Sequence, residues 1–238
     1  MHLFLSKSRS FKRLDYNGMD SIDECINRTH FLNYNKNISY VYNSRGFRDN
    51  EWPIDIENKI WCIGDSFTEG LGQPINETWP KILEQCLNET CINVSENGCS
   101  NDLMALRVDY IKKNFNPKCI IIMWSYFWRR YKDGVNVQFD QTKKELPAND
   151  LNNFVENFNS ANNNSQCKII NYLLPECMIK DTTSKRSKKN IIKLIKYHYP
   201  KNNFYNLAEV EQVDFGRDGY HFDLLTCEKI VADILTKY

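Results

Sequence analysis

The 238-residue chain lacks most of the marks by which a protein's class is read directly. No apolar run approaches the ~18–20 residues needed to cross a bilayer, so no membrane-spanning helix is expected. Charge of one sign is not in excess either: 31 Lys and Arg meet 30 Asp and Glu, a formal net charge of +1. A chain whose main work is neutralising nucleic-acid phosphates carries a basic surplus, so no nucleic-acid partner is expected. Histidine is scarce, with four in all, and no Cys/His group has zinc-ligand spacing. A Gly-rich phosphate loop is missing as well, since Gly70-Leu71-Gly72 has neither the spacing nor the Lys of one. Neither metal nor organic cofactor is therefore expected. The opening MHLFLSKSRSFKR returns to charge too soon for a secretory leader, which predicts a cytoplasmic location.

What is present fits a globular domain. Hydrophobic residues make up 42% of the chain and aromatics 13%, enough to fill a sizeable core. The nine cysteines are odd in number and form no CxxC, and several sit in apolar runs such as Trp61-Cys62-Ile63. This is the behaviour of free thiols used as small core residues, not of a disulfide framework. Asparagine is abundant, 29 in all, and the Asn-Xaa-Ser/Thr sequons that follow from that abundance carry no weight.

From residue 59 onward, short apolar runs alternate with amphipathic stretches. Strands are expected at Lys59–Ile63, Cys91–Val94, Lys118–Trp124 and Lys168–Leu174, with a short edge strand at Asn203–Asn206. Helices are expected at Trp79–Asn88, Asp102–Phe115, Leu151–Phe158, Lys185–Tyr197 and Leu224–Thr236. Almost continuous apolar character, as in KCIIIMW, belongs to strands buried on both faces. The alternation predicts a parallel sheet with helices on both sides. Residues 1–58 break the pattern and are read as an arm packed on a main domain of residues 59–238.

Two segments carry the chemistry. Gly64-Asp65-Ser66-Phe67 directly follows the first buried strand, where the carboxyl end of a parallel sheet exposes its ligand-binding loops. A Ser hydroxyl there needs a base held by a carboxylate. Asp218-Gly219-Tyr220-His221, in a Gly-containing loop before the last helix, supplies both from one short segment.

These residues resemble the GDSL/SGNH hydrolase family, whose first block is a Gly-Asp-Ser turn and whose last is Asp-x-x-His. The resemblance implies a three-layer α/β/α sandwich with a flavodoxin-like parallel sheet, and it reaches across nearly the whole chain. It makes Ser66 the nucleophile, His221 the general base and Asp218 the orienting acid. Gly98, in Asn93-Val-Ser-Glu-Asn-Gly98, matches the second block, whose backbone N–H joins that of Ser66 in binding the oxyanion. One block departs. Family members carry Gly-x-Asn-Asp after the third strand, whereas here Trp124-Ser125-Tyr126-Phe127-Trp128-Arg129-Arg130 contains no Asn. Candidates for the lost donor are the Ser125 hydroxyl, an Arg129 or Arg130 guanidinium, or Asn101.

Asp65, Trp124, Arg129 and Arg130 are the expected substrate contacts, an Arg being suited to an anionic group. Most rings of the Trp124–Tyr131 aromatic cluster are nonetheless read as packing. The basic stretch Lys185–Lys201 is read as a solvated helix face. The function implied is a serine esterase acting on a small acyl ester, with O-acetyl groups of a glycan or small molecule the natural substrate by analogy. Two alternatives remain: a non-catalytic carbohydrate-binding or structural module on the same fold, and an acyltransferase with the same three residues.

Overall fold

The computed structural model describes residues 3–5, 8–23, 36–138, 148–163, 165–174, 191–200, 204 and 207–238. The first ordered pairing belongs to the arm: β1 (Arg13–Leu14) and β2 (Tyr40–Val41) form an antiparallel ribbon. The next strands are β3 (Ile60–Ile63), β4 (Cys91–Asn93) and β5 (Cys119–Trp124), all fully buried. Burial on both faces explains why their sequences, IWCI and CIIIMW, carry no polar alternation. They are completed by β8 (Lys168–Leu173) and β9 (Leu207–Glu209) into a five-stranded parallel sheet, order β4-β3-β5-β8-β9. The edge strand thus lies just past the expected 203–206, of which only Phe204 is among the described residues. Between β5 and β8 an unforeseen hairpin intervenes, β6 (Arg129–Lys132) and β7 (Val135–Gln138). Its two-residue turn, Asp133-Gly134, has positive φ at both positions (51° and 85°), which matches the right-handed twist of paired strands.

Helices cover the sheet. The short α1 (Ser66–Glu69) leads to α2 (Trp79–Leu87), α3 (Asn101–Asn114), α4 (Ala148–Asn162), α5 (Ile191–His198) and α6 (Leu224–Lys237). α2 packs with α6, and α3 with α4, giving the expected α/β layered sandwich. Leu103, Met104, Ala105, Arg107, Val108 and Ile111 of α3 are buried, while Leu106 and Tyr110 are exposed, so α3 buries one broad face and leaves two large apolar side chains at the surface. Lys193 and Lys196 of α5 are exposed around a buried Ile195, the arrangement of a solvated helix face. Residues 185–190 and 201 of the basic stretch lie outside the described residues. Cysteines 62, 91, 99, 119 and 227 are free and buried, and burial pushes the thiols of Cys99, Cys119 and Cys227 up to about 12.

Strand order places the functional end. β3 has β4 on one side and β5 on the other, so the chain reverses its winding direction across β3. A crevice opens at the carboxyl ends of the strands at such a point, and there the loops after β3, β4 and β5 meet.

Candidate active site

Ser66 opens α1 immediately after β3. Asp65 caps the helix, its side chain accepting from the Phe67 N–H at 3.1 Å, as a short carboxylate at that position should. The turn is tight because Gly64 has no side chain: a Cβ there would collide with Thr68. Gly70 ends α1 in the left-handed conformation, φ +82°, which favours glycine.

The base arrives from the other end of the chain. Gly216 N–H donates to His221 O at 2.9 Å and Gly219 N–H to Gly216 O at 2.8 Å, folding residues 216–221 into a compact loop. Beyond it, Asp214 accepts from the Leu225 and Thr226 N–H groups at 2.7 and 2.9 Å. These bonds satisfy donors at the start of α6 that have no partner within the helix. The loop lies directly on the segment after α1. Arg217 N–H donates to Gly72 O at 2.6 Å, and a Cβ on Gly72 (φ +77°) would sit 2.8 Å from Asp218 Oδ1.

This approach brings Ser66, His221 and Asp218 into one line. Ser66 Oγ lies 2.8 Å from His221 Nε2, and His221 Nδ1–H donates to Asp218 Oδ2. Asp218 Oδ1 accepts from the Tyr220 and His221 N–H groups, both at 3.0 Å. Burial alone would raise the Asp218 carboxyl, but His221 and these N–H donors outweigh it and hold the group below the usual carboxylate range. An ionised Asp218 on Nδ1 leaves Nε2 as the acceptor facing Ser66. Phe67 packs on the imidazole with ring centroids 4.5 Å apart, limiting its rotation.

Gly98 sits in the loop after β4 with φ +77° and open space where a Cβ would stand. This loop is tied to the nucleophile turn by Glu96 N–H donating to Gly64 O at 3.2 Å. A second tie runs from Asn97 N–H to Glu69 Oε2 at 2.5 Å.

The loop after β5 is committed differently from expectation. Ser125 Oγ–H donates to Asp65 Oδ2 at 2.5 Å, and Arg129 Nη1 reaches the same Asp65 oxygen at 2.5 Å and Ser125 Oγ at 2.6 Å. A hydroxyl has one proton, so Ser125 as arranged here offers lone pairs, not a donor. Asn101 grips the Ser125 backbone with both ends of its amide, at 2.8 and 3.1 Å. Asp65 is fully buried by these partners, which accounts for its carboxylate without a substrate. Trp124 likewise faces no opening: it is fully buried, with its indole N–H on Asn171. Arg130 turns toward α4 and pairs with Asp150. Arg129 keeps a buried Nε without a hydrogen-bond partner.

Sequence reasoning gave no role to several residues that build this end of the sheet. Glu69, Arg48 and Arg217 are buried beside the turn and the base loop. The Asp133-Gly134 dipeptide between two alternating segments was the available hairpin signal, and the hairpin it makes holds Asn136 against Ser100 N–H at 3.0 Å.

No protein-family model matches the sequence, and no curated protein matches it. Solved structures do. A family two carbohydrate esterase from Clostridium thermocellum, in complex with cellohexaose, matches with a TM-score of 0.50 and 16% identity over 84% of this chain and 67% of that one. A second carbohydrate esterase, whose active site displays divergent catalytic and non-catalytic binding functions, matches with a TM-score of 0.51 and 12% identity over 78% of this chain and 66% of that one. The chain spans about two thirds of the length of these structures. At such identities the likeness is one of fold: this chain shares the layered parallel-sheet architecture of SGNH-type esterases.

Proposed function

We propose that this protein is a serine ester hydrolase working through Ser66, His221 and Asp218. One observation carries the reading: Ser66 Oγ stands 2.8 Å from His221 Nε2 while Asp218 holds Nδ1. Ser66 Oγ attacks the ester carbonyl as His221 takes its proton, and Asp218 steadies the imidazolium. His221 then gives that proton to the departing alcohol. Water, deprotonated by the same imidazole, releases the acid and restores Ser66. Two backbone donors, the N–H groups of Ser66 and Gly98, are assigned to the oxyanion. The buried Asp65–Arg129–Ser125 cluster keeps the third loop against the nucleophile turn.

The substrate class proposed is a small acyl ester on a carbohydrate. Its support is the fold shared with carbohydrate esterases, one of them seen with cellohexaose, and it is an analogy of fold. The test is turnover of p-nitrophenyl acetate and of acetylated xylo- and cello-oligosaccharides by wild type and Ser66→Ala. Ser66→Ala is expected to lose at least ~10³-fold in kcat/KM. Wild-type-like turnover in that variant overturns the reading.

A further inference from the structure

Two ion pairs, Arg9–Glu69 part-buried and Asp20–Arg217 buried, join the N-terminal arm to α1, which Ser66 opens, and to the loop that holds His221. Glu69, three residues after Ser66, is fully buried. Its Oε1 pairs with Arg9 and accepts from Tyr42 Oη–H at 2.8 Å, both from the arm. Its Oε2 accepts from Asn97 N–H at 2.5 Å, next to Gly98. A single carboxylate therefore ties the arm, the nucleophile helix and the Gly98 loop together. The second pair is Asp20 with Arg217. Arg217 Nε and Nη2 meet the two Asp20 oxygens at 2.8 and 2.7 Å, and Arg217 immediately precedes Asp218. Tyr40 Oη–H donates to Asp20 and accepts from Gly72 N–H at 2.8 Å, linking this pair back to the segment after α1. Arg48 of the arm adds bonds to Glu69 O at 3.2 Å, to Gln73 O at 2.8 Å and to Gly70 O.

These contacts have a physical cost that apolar packing avoids. Desolvating an ion pair offsets most of its Coulomb gain, so hydrophobic residues of like volume would hold the arm about as well. What a bidentate Arg–carboxylate pair adds is geometry, since two parallel N–H···O bonds fix both distance and angle. The Asp20–Arg217 pair is bidentate and stands next to Asp218, and the Arg9–Glu69 pair, made through Oε1 alone, stands three residues from Ser66 while Oε2 holds the Gly98 loop.

We infer that the arm is a working part of the catalytic centre, with Asp20 and Arg217 positioning Asp218, and Arg9 and Glu69 positioning the Ser66 turn and the Gly98 loop. The inference rests on the hydrolase reading above. These four are positioning residues and touch no substrate.

The test compares wild type, Asp20→Asn, Asp20→Glu, Arg9→Gln and Tyr40→Phe in the full chain. It uses p-nitrophenyl acetate kinetics, thermal unfolding and the downfield proton resonance of the His221 Nδ1–H. In Asp20→Asn, kcat is expected to fall about 10- to 100-fold, as small displacements of reacting groups do, with KM within about twofold. The Nδ1–H resonance should shift or broaden, and Asp20→Glu should recover part of both signals. Tyr40→Phe, which only removes a hydroxyl, should move both in the same direction by less, and it carries the test should Asp20→Asn not fold. Unchanged kcat and an unchanged resonance in the folded variants overturn the inference. The resonance is independent of turnover. Were Ser66→Ala fully active, a shifted resonance would still uphold the positioning role while the hydrolase reading fell.

Discussion

The arm is held in part by ion pairs, and the central sheet by none among the described residues. β3, β5 and β8 are joined by parallel pairing and buried apolar side chains, interactions that add up with area and care little about angle. The arm buries Phe4 and Phe47 in the same core and packs Ile38, Tyr40 and Tyr42 with Leu71, but at the catalytic end it adds Arg9–Glu69, Asp20–Arg217 and Arg48, directional contacts on polar groups. The difference teaches a division of labour. The apolar sheet decides where the loops emerge, and the ionic contacts decide where their side chains point. Damage to the first should therefore show mainly in stability, and damage to the second mainly in rate.

The largest effect is expected from the sheet layer. Phe158 of α4 is buried and packs on Trp124 and Phe204. Phe158→Ala should cost about 3–5 kcal/mol in urea unfolding, while kcat of the folded protein stays within about twofold. A collapse of kcat at full stability would erase the distinction.

Two glycines sharpen it. Gly72 and Gly134 both have φ near +80° (77° and 85°), but a Cβ on Gly72 meets Asp218 whereas one on Gly134 meets nothing. Alanine at either should cost about 1–2 kcal/mol of backbone strain. Only Gly72→Ala should also lower kcat, by about 10-fold or more, by displacing Asp218. Equal rates in the two variants would detach the base loop from the segment after α1.

The smallest effect concerns pH. The folded state holds the Asp218 carboxyl below its ordinary value. Its stabilising contribution is thus complete above about pH 4, the ordinary Asp pKa, and fades as pH falls through the lower folded-state value. Asp218→Asn should flatten that acid limb of a Tm-versus-pH curve, measured by calorimetry. An unchanged limb would mean that Asp218 is not held ionised.

The sequence disclosed this architecture unevenly, for physical reasons. Strands such as Cys119–Trp124 were legible because burial on both faces leaves an apolar run, whereas Ser66, 155 positions from His221, was singled out with Asp218 and His221 only because their two short segments resemble known motif blocks. Glu69 and Arg217 were not legible: their partners stand 60 and 197 positions away, and no periodicity records a contact of that range. Trp124 and Asp65 were assigned to substrate because position alone does not say which side chains the core will absorb. The hairpin at 129–138 was readable in its Asp-Gly turn, and it directly follows the third loop at Ser125–Trp128.

The most direct measurement is covalent labelling of the intact protein with a fluorophosphonate ester, located by peptide mass spectrometry. One adduct on Ser66, abolished in Ser66→Ala and strongly slowed in His221→Ala, is the predicted result. No adduct on Ser66, or an equal rate without His221, would contradict the account.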